Sequence, residues 1–201
     1  MNNAPIGIFD SGIGGITILN SIKKILPKES IIYYSDNYNS PYGNKSKKEI
    51  EKLSIKNTKF LIEKGCKIIV VACNTATTNS ISKLRTNFDL PFIGVEPAIK
   101  PAAMQTKSGL IGVLATKGTL SSGLFEKTAN NYASDVKVIE KNATGLVELI
   151  EKGIFSGEKI ENILKKNLNP MIQNKIDHLV LGCTHYPILI NIIKSLIPSH
   201  I

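Results

Sequence analysis

The sequence predicts an α/β protein: two Rossmann-like or flavodoxin-like units whose mainly parallel sheets face each other across an active-site cleft. Short apolar runs alternate with amphipathic helical stretches along the whole chain, the pattern of parallel strands joined by crossover helices. Val70-Val71-Ala72-Cys73-Asn74-Thr75-Ala76-Thr77-Thr78 opens as a buried strand, presents a cysteine, and runs into a helix. The arrangement recurs in His178-Leu179-Val180-Leu181-Gly182-Cys183-Thr184-His185-Tyr186-Pro187. A proline-punctuated break at Glu96-Pro97-Ala98 sets the boundary between domains 1–97 and 98–201.

At 201 residues the chain is long enough for one large or two small domains with a real hydrophobic core. Hydrophobic residues make up 42% and charged residues 20%, an ordinary soluble composition. No apolar run approaches the ~18 residues that a membrane span needs. Met1-Asn2-Asn3-Ala4-Pro5 has neither a basic region nor a leader-type apolar core. A cytoplasmic protein with no membrane partner is expected. The formal charge of +9 suggests nucleic acid, but Arg85 is the only arginine, and bidentate phosphate and base readers favour arginine. Lysines such as Lys45, Lys48, Lys52, Lys56 and Lys59 are spread along helix faces as a solvated surface. No nucleic-acid partner is expected.

The elements follow in order. Ile6 to Phe9 is a strand, then Asp10-Ser11-Gly12-Ile13-Gly14-Gly15 leads into a helix with Ile18, Ile22, Ile25 and Leu26 on one face. Strand, glycine-rich turn and helix resemble a dinucleotide site, with Asp36 where a ribose-binding acid would sit. The third fingerprint glycine is missing at Thr17, and Asp10 would repel a pyrophosphate. An anion or zwitterion site built from backbone N–H groups and Ser11 fits better. Ile31 to Ser35 is the second strand, and Asn37-Tyr38-Asn39-Ser40-Pro41-Tyr42-Gly43 a candidate pocket wall. Ser46 to Lys64 is a long helix with Ile50, Leu53, Phe60 and Leu61 inward, capped by Gly65. A helix from about Thr77 to Phe88 follows the first cysteine strand, and a short strand precedes Pro97. The second unit reads as a helix over Ile99 to Gln105 and a strand over Leu110 to Leu114. A turn at Thr116 to Thr119 follows, then a helix through Ser122 to Tyr132 and a strand over Val136 to Ile139. Helices come next at Leu146 to Lys152 and Glu158 to Ile172, the latter interrupted near Pro170. The strand Leu179 to Leu181 and a helix over Pro187 to Ile197 complete it.

Ligands bind beyond the carboxyl ends of strands in such sheets, where Cys73 and Cys183 stand. A disulfide framework is not expected from three cysteines in a cytosolic-type chain. No pair has the spacing of a zinc site, so no metal is expected. Cys66, beside Gly65, reads as a buried structural thiol. His185 lies two residues from Cys183, and Asp10 can serve Cys73 if the first and third strands are neighbours. Two thiols, each with its own ionisable neighbour, fit inversion of a carbon centre, where one base removes a proton and an acid on the opposite face returns one. The acidified C–H of an amino acid is the obvious substrate. Ser11, Asn74, Thr75 and Thr184 would hold its carboxylates and the charge that builds in the transition state.

At these residues the chain resembles the glutamate racemases, cofactor-independent members of the aspartate/glutamate racemase superfamily. Asp10-Ser11-Gly12-x-Gly14-Gly15, Pro41-Tyr42-Gly43, Cys73-Asn74-Thr75-Ala76-Thr77, Gly94-Val95-Glu96-Pro97 and Gly182-Cys183-Thr184-His185-Tyr186-Pro187 match that family's motifs in order, across essentially the whole chain. The resemblance implies interconversion of L- and D-glutamate without a cofactor, supplying D-glutamate for peptidoglycan, by a homodimer. Cys73, assisted by Asp10, would take the α-proton from D-glutamate; Cys183, assisted by His185, would take it from L-glutamate. Ser11, Pro41, Tyr42, Gly43, Asn74, Thr75, Thr116, Thr119 and Thr184 fall where the family binds substrate. Asp36 and Glu151 match acidic positions linked to the site; a loop-capping acid and a solvated helix acid are the other readings. The resemblance also implies a further segment beyond Ile197 that completes the first domain, without which apolar surface there stays uncovered. The short start before the first strand implies no nucleotide-precursor activator. Three rival readings stand beside it: a catalytically impaired or amino-acid-binding relative of the gyrase-inhibitor type, a cysteine hydrolase using Cys183 and His185, and a basic nucleic-acid binder.

Overall fold

The computed structural model describes residues 3–201. Met1 and Asn2, the first two residues of the Met1–Pro5 stretch considered above, lie outside the described residues. The first part of the chain runs β1 (Ile6–Asp10), α1 (Ile16–Ile25), β2 (Ile31–Ser35), α2 (Lys47–Glu63), β3 (Ile68–Val71), α3 (Asn74–Asn87) and β4 (Phe92–Gly94). It continues through α4 (Ile99–Gln105), β5 (Leu110–Ala115), α5 (Lys117–Leu120), α6 (Gly123–Tyr132) and β6 (Lys137–Asn142). The last elements are α7 (Leu146–Glu151), α8 (Glu158–Gln173), β7 (His178–Gly182) and α9 (Ile190–Leu196).

The strands form two sheets, β2-β1-β3-β4 and β6-β5-β7, and every pairing is parallel. The predicted α/β architecture is what is found. Its first three strands repeat in order: the first strand of each set is central, the second and third flank it. Each site cysteine follows the third strand of its own sheet, which explains why one strand-to-helix pattern occurs twice. Helices cover both faces of each sheet, so the strands are apolar on both sides. In the first sheet Phe9, Ile69 and Val71 pack towards α2 and α3 residues such as Leu61 and Leu84. The alternate residues Ile6, Ile8, Val70 and Ala72 pack against Ile18, Leu19 and Ile22 of α1. In the second sheet Leu114 joins Ile150, Leu164 and Tyr186 on one side, while Ile111 and Val113 join Phe125 on the other.

Local capping sets the ends of several elements. Ser46 and Glu49 form a reciprocal capping box at the start of α2, and Gly65 follows its end with a φ of 77°. Four expectations need correction. The helix after Cys73 starts at Asn74, not Thr77, because the Cys73 sulfur accepts the Ala76 N–H and so acts as its N-cap. Thr116 caps a short helix, α5, where a turn was expected. α8 runs through Pro170 without a break; the proline falls in its last turn, after Ile160, Leu164 and Leu168 have anchored the helix in the core. Ile25 and Leu26 do not share the buried face of α1 but are 77% and 46% exposed, since only Ile18, Leu19 and Ile22 reach the sheet. Among the described residues no helix is long and apolar enough to cross a membrane.

Candidate active site

The carboxyl ends of both sheets converge on one cavity. It is lined by Ser11, Pro41, Tyr42, Gly43, Cys73, Asn74, Thr75, Thr116, Val147, Cys183, Thr184 and His185. All but Val147 were predicted from sequence; an apolar helix residue carries no signal that separates a pocket wall from core. Asp10, Asp36, Thr119 and Glu151 lie behind the walls as partners of the lining residues. The cavity is narrow: about 10 Å³ of it admits the centre of a water molecule, roughly what one water needs. In this closed arrangement an amino acid enters only if the walls part.

Cys73 lies just beyond β3 and caps α3, which aims the first N–H groups of that helix at its sulfur. Ala76 N–H donates to the sulfur at 3.4 Å, and Ser11 Oγ lies 3.6 Å away. Burial and the negative charge of Asp10 outweigh these contacts and push the Cys73 thiol up to about 12. Asp10 stands at the end of β1 beside β3, as the strand order required, but it does not hydrogen-bond the thiol. Its carboxylate accepts from Gly12 N–H and from Thr184 Oγ1, each at 3.0 Å, so it ties the two halves of the site together. Burial raises the Asp10 pKa despite His185 and these donors.

On the other wall, Cys183 Sγ lies 3.6 Å from His185 Nδ1, and His185 Nε2 lies 2.5 Å from Glu151 Oε1. Burial opposes charge on His185, but the Cys183 and Glu151 contacts and the Asp10 charge prevail and push it up to about 10. These contacts favour the imidazolium form of the ring. Glu151 is itself held below its ordinary range: burial works against its charge, but His185 and the Ile13 N–H, 2.8 Å away, outweigh it. The Glu151 carboxylate sits in the space that Gly12 leaves by lacking a side chain, so it faces His185 and Ile13.

Asp36 accepts from Tyr42 Oη at 2.5 Å and from Asn39 Nδ2 at 2.8 Å, so it shapes the Pro41–Gly43 wall from behind. Asn57 donates to the same Tyr42 oxygen at 2.9 Å. Thr75, Thr116 and Thr119 bring three hydroxyls within 2.8, 3.0 and 3.1 Å of one another. This cluster joins α3 of the first sheet to α5 of the second. Cys66 stays in the core beneath Gly7, a structural thiol as read. Among the described residues no cluster of three or more His, Cys, Asp or Glu could hold a metal ion.

The profile of one protein family, Asp/Glu/Hydantoin racemase, matches residues 10–200. The chain belongs to that family. Membership makes it an isomerase, and within the family it is similar to glutamate racemases. It is 46% identical to the glutamate racemase of Herpetosiphon aurantiacus over 97% of this chain and 77% of that one. Among solved structures, the Bacillus anthracis glutamate racemase superposes with a TM-score of 0.89 at 36% identity, over 100% of this chain and 76% of the other. The Escherichia coli glutamate racemase, solved with L-glutamate and an activator, gives a TM-score of 0.88 at 36% identity, over 98% and 76%. The racemase-family fold is thus shared across nearly all of the present chain.

Proposed function

We propose that the chain interconverts L- and D-glutamate by a cofactor-free, two-base reaction, and that the D-enantiomer feeds peptidoglycan synthesis in the cytoplasm. The observation that carries this reading is one cavity walled by two thiols, with His185 against Cys183 and the Asp10 carboxylate near Cys73. Asn74, Thr75, Thr116, Thr184 and Ser11 supply the donors for glutamate's two carboxylates, and their hydrogen bonds strengthen as charge builds on the α-carboxylate. Cys183, facing the imidazolium of His185, removes the α-proton of L-glutamate as a thiolate and becomes a thiol. Cys73, held as a thiol, gives its proton to the opposite face and becomes a thiolate. The C–H bond broken on one face is replaced by a C–H bond on the other, and no electron pair leaves the substrate.

In the reverse direction Cys73, as a thiolate, removes the α-proton of D-glutamate and becomes a thiol, while Cys183, as a thiol, gives its proton to the opposite face and becomes a thiolate. Because the enantiomers are equally stable in water, kcat/KM must be equal in the two directions. The test is circular dichroism of D-glutamate incubated with the purified chain in deuterium oxide, with α-deuteration followed by mass spectrometry. Loss of ellipticity with one deuterium gained per inversion is expected. Retention of both the signal and the α-proton would refute the reading in favour of a binding protein.

A further inference from the structure

Asn79, in the second turn of α3, is outside the cavity, yet its side chain spans the two halves of the site. Its Nδ2 donates to Thr75 O at 2.9 Å, within its own helix, and to Gly118 O at 2.8 Å, in α5 of the second sheet. Gly118 is tightly packed: a Cβ would lie 3.0 Å from Gly43 O and 3.0 Å from Thr75 Cγ2, close enough that its neighbours would have to give. α5 is thus wedged between the Pro41–Gly43 wall and α3, with its carbonyl pinned by Asn79. The same short helix carries Thr119 and is capped by Thr116, whose hydroxyls meet Thr75. In the closed cavity these three hydroxyls satisfy each other. When a carboxylate takes the protons of Thr75 and Thr116, that internal bonding is lost, and the Asn79–Gly118 link remains to hold α5 in place.

We propose that Asn79 is a positioning residue for substrate binding: acting through Gly118, it sets the second-sheet threonine Thr116 against the first-sheet threonine Thr75 so that both can grip one carboxylate of glutamate. This rests on the racemase reading of the site. Asn79 and Gly118 border an open groove of about 500 Å³ that contains neither site cysteine, so shortening the side chain lets water replace it without leaving a void in the core.

The test uses four variants of the full chain. Asn79→Ala removes the donors, and Asn79→Asp keeps the shape while turning donors into acceptors that repel both carbonyls. Gly118→Ala pushes α5 away from the opposite side. Gly123→Ala, on the same groove but with open space at its Cβ, is the control. The first three are expected to raise KM about tenfold with kcat changed about threefold or less, and to weaken calorimetric D-glutamate binding by the same factor. Asn79→Asp should be at least as impaired as Asn79→Ala, and Gly123→Ala unchanged. A KM and binding constant within twofold of the unmodified chain for Asn79→Asp, or losses that follow only the folded fraction in a thermal melt, would overturn the proposal. Should the unmodified chain bind glutamate without racemising it, the racemase reading fails, while the binding constants still decide the role of Asn79.

Discussion

Glu151→Gln removes the negative charge 2.5 Å from His185 Nε2 while keeping nearly the same shape. His185 stands at about 10 in the folded protein, against about 6.5 for an unperturbed histidine. Burial pulls it down; the Cys183 contact, Glu151 and Asp10 more than compensate. A hydrogen bond to a charged group contributes about 1.5–3 kcal/mol, and about 1.4 kcal/mol equals one pKa unit. Loss of the Glu151 charge should therefore lower His185 by roughly one to two units. The imidazolium then loses its proton within the assay range. Racemisation of L-glutamate, followed by circular dichroism from pH 6 to 10, should show a one-proton fall near pH 8 to 9 in the variant, about one to two units earlier than in the unmodified chain. A superimposable alkaline limb would refute the role given to Glu151. The sign also holds for stability. A raised histidine stabilises fully below its unfolded pKa, and that contribution is lost as pH rises through about 10. Glu151, lowered from 4.5, contributes above that value and loses its contribution as pH falls through its folded pKa. The difference in melting temperature between the unmodified chain and Glu151→Gln should thus be largest between about pH 4.5 and 6.5.

Two further substitutions probe the supports. A Cβ at Gly14 would lie 2.6 Å from His185 Nδ1, 2.6 Å from Thr184 Oγ1 and 2.7 Å from the His185 backbone nitrogen. Gly14→Ala should therefore displace the imidazole from Cys183 and lower kcat by on the order of 100-fold; turnover within threefold of the unmodified chain would contradict this. Tyr42→Phe removes the donor to buried Asp36 and the acceptor for Asn57, a loss of about 1–3 kcal/mol. At about 2–4 °C per kcal/mol for a chain of this size, a thermal melt should move down by several degrees, and an unchanged melt would show that the Asp36 network is dispensable.

The fold was legible because its strands are buried on both faces. Ile68 to Val71 and His178 to Gly182 are short apolar runs with a cysteine just beyond, and nothing else in the chain repeats that pattern. Most cavity residues were legible for the same reason: strand ends in parallel sheets point at the ligand site. What the sequence hid depends on contacts that no single residue type announces. Asn74 and Thr75 are poor helix formers and read as loop, but the buried Cys73 sulfur caps a helix there. Gly118 in Thr116 to Thr119 suggested a turn, whereas its missing side chain admits α5 against Gly43. Glu151 was ambiguous until His185 and Ile13 were placed beside it, and Asn79, on an ordinary helical stretch, gave no sign of reaching Gly118.

The most direct test of the two-thiol account is α-proton exchange in deuterium oxide by Cys73→Ala and Cys183→Ala, each offered L- and D-glutamate separately. The account predicts that neither variant inverts glutamate. Cys73→Ala should deuterate only L-glutamate and Cys183→Ala only D-glutamate, each with retention of configuration, because one thiol removes and returns the proton on one face. Continued inversion by either single variant would contradict the claim that two thiols work from opposite faces of one carbon.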